Sequence, residues 1–99
     1  MGKYVYLYTG GATPEGMNEE EVQRVMKAWM DWLGGMGDHV TDMGNPFGAS
    51  AAVNGSPMSG ATGYSIVKAG SLDEAVTHAK GCPVFESGGN VEVFEAREM

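Results

Sequence analysis

The chain has 99 residues, 42% of them hydrophobic, with 13 acidic side chains against 6 basic ones and a formal net charge of -7. A chain of this length forms one domain over residues 1–99 and buries only about 60–68% of its unfolded surface, so support from a second subunit is expected. The absence of any Lys/Arg cluster argues against nucleic acid and anionic membrane as partners, and no apolar run approaches the roughly 18 residues of a membrane span.

Met1-Gly2-Lys3-Tyr4 leads directly into an alternating segment rather than a signal peptide, and Tyr6 sits where N-myristoylation requires Ser or Thr. A soluble, cytoplasmic protein is expected. Lys3 to Tyr8 places Tyr4, Tyr6 and Tyr8 on one face and Val5 and Leu7 on the other, the period-two pattern of a central strand with contacts on both sides. Asn18 followed by Glu21 predicts a capped helix from about Glu19 to Leu33, ended by Gly34 and Gly35, with Val22, Val25, Met26, Trp29 and Leu33 as its apolar stripe. His39 to Met43 reads as a short second strand broken by Gly44-Asn45-Pro46. Ala49 to Val53, Asn54-Gly55 and Ser56 to Met58 read as a small hairpin on a type I′ turn.

Thr62 to Ala69 is a third main strand. Ser71 and Glu74 form a second capping box, opening a helix from Leu72 to Lys80 that Gly81, suited to the left-handed position, and Pro83 close. Val91 to Ala96 is the last strand. The order predicts an α+β, ferredoxin-like βαββαβ fold with an inserted β-hairpin after the second strand.

Gly81-Cys82-Pro83, Gly88-Gly89-Asn90 and Val91-Glu92-Val93 near the C-terminus resemble the close of the YCII-related family, especially its DGPF branch. Lys3-Tyr4-Val5-Tyr6-Leu7-Tyr8 resembles that family's opening strand, and Asn54-Gly55-Ser56-Pro57 its inserted hairpin. The resemblance implies a homodimeric α+β barrel in which two four-stranded sheets pack face to face. The Asp-Gly-Pro-Phe tract is absent, since Ser59-Gly60-Ala61-Thr62-Gly63 runs directly into the third strand. The first-helix histidine implied for some members is absent as well, with Met26 near its place.

His39 is the candidate general acid or base, with Asp42 as a possible partner, although residues three apart in a strand point to opposite faces. Tyr6, Tyr8, Met26, Trp29, Trp32, Phe47 and Tyr64 are the candidate lining of a cleft for a small aromatic or apolar molecule. Trp32 stands beside the helix stripe and is harder to assign to packing than Trp29. His78 and Cys82 share a four-residue spacing that a metal could use, but no second pair completes a shell, so neither metal nor cofactor is expected. Glu74 and His78 read as an exposed i,i+4 helix pair. The lone Cys82 has no internal disulfide partner, which suits a reducing compartment.

These readings favour a homodimeric binding or accessory protein with an aromatic and methionine-lined cleft. The alternatives are a cofactor-free isomerase, hydrolase or oxygenase acting on a small aromatic or lactone-like substrate, with His39 as acid–base and Tyr6 or Tyr64 orienting it, and an acidic protein–protein interaction module.

Overall fold

The computed structural model describes residues 1–11, 16–55 and 59–98. Its elements are β1 (Gly2–Thr9), α1 (Glu19–Met36), a 3-10 turn (Gly37–His39), β2 (Val40–Asp42), β3 (Ala61–Ala69), α2 (Leu72–Ala79), a second 3-10 turn (Pro83–Ser87) and β4 (Asn90–Ala96). The four strands form one antiparallel sheet in the order β2-β3-β1-β4. That order interleaves two split βαβ units, the arrangement of a ferredoxin-like α+β fold. Among the described residues no helix is long and apolar enough to cross a membrane.

The alternation in β1 decides which face carries the core. Tyr4, Tyr6 and Tyr8 are buried under the helices, beside Ser65, Val67 and Ala69 of β3. Val5 and Leu7 point to the other face, in register with Ile66 and Tyr64 of β3 and with Phe94 and Glu92 of β4. Leu33 and Met36 of α1, Ala75 and Ala79 of α2, and Cys82 and Val84 after it complete the buried cluster, with Trp29 and Trp32 packed against it.

Both helix starts are locally encoded. Asn18 Oδ1 accepts the Glu21 amide at 2.8 Å, and Ser71 Oγ accepts the Glu74 amide at 3.1 Å. The ends follow tertiary demands instead. The first helix continues through Gly34 and Gly35, because one more turn buries Met36, and it stops at Gly37, whose φ of 55° takes the chain out of the helix. Gly81 is not left-handed: α2 leaves through Lys80 in the right-handed region, and a Cβ on Gly81 would lie 3.4 Å from Trp32 Cδ1. That is an ordinary van der Waals distance, so the glycine lies against the indole of Trp32.

The expected stripe on α1 also shifts, since Met26 is 61% exposed while Trp32 turns inward. Of the expected hairpin, residues 49–55 carry no strand pairing, and Ser56 to Met58 lie outside the described residues. The same connection pairs once with the sheet, through a bridge between Pro46 and Gly63.

Candidate functional site

The residues singled out in the sequence separate into two groups on opposite faces of the sheet. On the helix-covered face, Tyr8 meets Trp29 edge-on at 4.8 Å, Trp29 meets Trp32 at 5.7 Å, and Tyr6 stacks on Trp32 at 6.0 Å. Their polar tips are all engaged: Tyr6 Oη donates to the Ala75 carbonyl, Tyr8 Oη to Ser65 Oγ at 2.7 Å, and Trp32 Nε1 to the His78 carbonyl at 3.0 Å. These four aromatics fill the space between sheet and helices. Burial pushes the Tyr6 phenol up to about 12 and the Tyr8 phenol higher still, so both remain neutral hydrogen-bond donors at physiological pH. Met26 stands apart from them at the surface.

On the opposite face, Phe47 stacks on Tyr64 with ring centroids 5.7 Å apart and planes 16° from parallel. Tyr64 Oη donates to Asp42 Oδ2 at 3.3 Å, and Asp42 Oδ1 accepts the Gly44 amide at 2.8 Å. Asp42 thus closes a tight turn after β2 with one oxygen and orients the Tyr64 hydroxyl with the other. Gly44 makes the turn possible, with a φ of 76° and no room for a Cβ, which would fall on the Tyr64 carbonyl. The result is a half-exposed corner with an aromatic wall, a phenol and a carboxylate. Val5, Leu7, Ile66 and Phe94 extend it as an apolar surface.

His39 does not join Asp42. It ends the 3-10 turn after α1, where Nδ1 lies 3.0 Å from the Lys68 carbonyl and 3.9 Å from Glu74 Oε1. His78, one turn along α2 from Glu74, places Nε2 3.7 Å from the same carboxylate oxygen, and the two imidazoles lie 4.9 Å apart, centroid to centroid. The helix pair Glu74–His78 was readable from its spacing. His39 was not, because it arrives from 35 residues earlier through the pairing of β2 with β3.

Cys82 takes no part in this cluster. It is 3% exposed, and burial raises its thiol to about 11, partly offset by the Val84 amide, so it is an inert core residue. A shallow groove of about 280 Å³ lies elsewhere, between Leu72 and Val76 of α2, Lys80 at its C-terminal cap, Phe85, and Val91 and Val93 of β4. No family model matches this chain, and no curated protein matches it either.

Proposed function

We propose that the protein acts as a homodimer that binds a small aromatic or apolar molecule at the Asp42–Tyr64–Phe47 corner, as a binding or accessory protein of the YCII-related type. The observation that carries this reading is the asymmetry of the sheet. One face is closed by two helices, whereas on the other, among the described residues, Phe47 and Phe94 are exposed and Val5, Leu7, Tyr64 and Ile66 are half-buried. An apolar sheet face is stabilised by packing on another layer about 10 Å away, and a second copy of the same sheet supplies one.

Facing sheets enclose the corner between two apolar walls. A flat ligand then lies along Phe47 and Tyr64, and its polar edge meets the Tyr64 hydroxyl and the Asp42 carboxylate. His39 stands on the helix side of the sheet, away from this corner, which favours the binding reading over acid–base catalysis by His39.

Light scattering across the micromolar range is expected to give the mass of a dimer, and Ile66→Lys that of a folded monomer. A monomer for the unsubstituted protein at ~100 μM would sink the dimer. Thermal-shift screening against small aromatic acids, lactones and quinones is expected to return a related set of hits that Phe47→Ala and Asp42→Asn weaken; hits indifferent to both substitutions would remove the ligand from this corner.

A further inference from the structure

We propose that His39, Glu74 and His78 form a binding site for a divalent first-row transition-metal ion such as Zn²⁺. One donor atom from each residue lies within 4.8 Å of the other two, and the three side chains are 33%, 40% and 31% exposed. Ligands held about 2.0–2.2 Å from a tetrahedral ion stand roughly 3.3–3.5 Å apart, so the site closes on an ion by a contraction on the order of 1 Å. Side chains this exposed make that movement by small torsional changes.

What separates this cluster from a casual surface ion pair is how each ligand is held from behind. The Lys68 carbonyl can only accept, so His39 Nδ1 donates to it and Nε2 carries the lone pair offered to an ion, while Nδ1 is the ring nitrogen 3.9 Å from Glu74 Oε1. Glu74 Oε2 accepts the Gly70 amide at 3.2 Å, so Oε1 is the oxygen turned toward both histidines. The backbone of His78 is pinned by the Trp32 indole. Backbone groups thus hold the His39 ring and the Glu74 carboxylate, and the Trp32 indole holds the backbone that carries His78.

The donor set names the class of ion. Two imidazoles and one carboxylate suit zinc, nickel, cobalt or ferrous iron, whereas calcium and magnesium prefer all-oxygen shells. Three protein ligands leave at least one coordination position for water or a small anion. The cluster lies on the helix side of the sheet, so the inference stands independently of the ligand corner proposed on the other face.

The test is calorimetric titration of tag-free protein with Zn²⁺ at neutral pH. Saturable binding of one ion per chain is expected, weakened at least about tenfold by His39→Gln or His78→Gln and lost in the double variant. Thermal melting in chelator, unchanged between these variants and the parent, establishes that the fold is retained. Failure of the parent to bind Zn²⁺ overturns the proposal, as does binding that the double variant preserves. Should a variant fail to fold, titration of the ¹⁵N-labelled parent with paramagnetic Co²⁺ decides: broadening centred on His39, Glu74 and His78 supports the site, and broadening centred elsewhere overturns it.

Discussion

Trp32 Nε1 donates to the carbonyl of His78 at 3.0 Å, and this contact ties the first helix to the last turn of the second across 46 positions of sequence. The same indole stacks on Tyr6 and lies over Gly81, so one side chain joins α1, α2 and β1. Trp32→Phe keeps most of the ring packing but strands the His78 carbonyl. It is expected to lower stability by about 1–2 kcal/mol, read as a shift of the denaturant midpoint with an unchanged slope. No shift would mean that water replaces the indole at no cost.

Ser65 is 1% exposed and carries two hydrogen bonds, accepting from Tyr8 Oη and donating to the Met43 carbonyl, both at 2.7 Å. Ser65→Ala removes the partner of both groups and is expected to cost about 2–3 kcal/mol, whereas Tyr8→Phe leaves the bond to Met43 intact and costs less. Equilibrium unfolding of the two variants checks the order. The reverse order would show that the Tyr8 hydroxyl finds another acceptor.

Gly44 occupies a left-handed conformation against the Tyr64 carbonyl. Gly44→Ala is expected to destabilise by more than about 2 kcal/mol and to disturb the Asp42–Tyr64 bond, since both the torsion and the space are denied to a side chain. Gly55, with a φ of 82° and, among the described residues, no neighbour within 4 Å of its would-be Cβ, is the comparison: Gly55→Ala is expected to carry only the conformational cost. Equal effects at the two sites would remove the close approach as the cause.

Alkaline pH is expected to destabilise the protein through its core. Burial raises Cys82 to about 11 and Tyr6 to about 12 from ordinary values of 9.0 and 10.0. Between about pH 9 and 12 the unfolded chain therefore releases protons that the native state retains. Stability is at its full value below about pH 9 and falls as pH rises, by a total on the order of 2–3 kcal/mol per group. Melting temperatures measured from pH 8 to 11 follow the decline, and Cys82→Ala is expected to flatten its first part.

Local rules carried much of the fold in the sequence. Asn18 and Ser71 mark helix starts because their oxygens serve amides three residues away, and Tyr4, Tyr6 and Tyr8 mark a face because strand side chains alternate. The misreadings came where a distant residue decides. Gly34 and Gly35 look like a stop, but burial of Met36 outweighs their poor helix propensity. Gly81 looks like a left-handed cap, but α2 leaves through Lys80 in the right-handed region and Gly81 does not take a positive φ. The candidate sites depend on the same long-range order. Asp42 meets Tyr64, and His39 meets Glu74 and His78, only because β2 lies beside β3 and β3 feeds α2; no spacing along the chain encodes either meeting.

The Tyr8–Ser65–Met43 chain also discriminates among alternative pairings of the sheet. On the helix-covered face β3 presents Gly63, Ser65, Val67 and Ala69, a row containing a single hydroxyl. Sliding β3 by two residues against β1 preserves which face is apolar, so burial of apolar area alone distinguishes such a slip weakly. It would, however, set Gly63 or Val67 where the Tyr8 hydroxyl needs an acceptor and bury that hydroxyl alone. Ser65 thereby acts as a registration mark, penalising misaligned sheets that a purely apolar interior would tolerate.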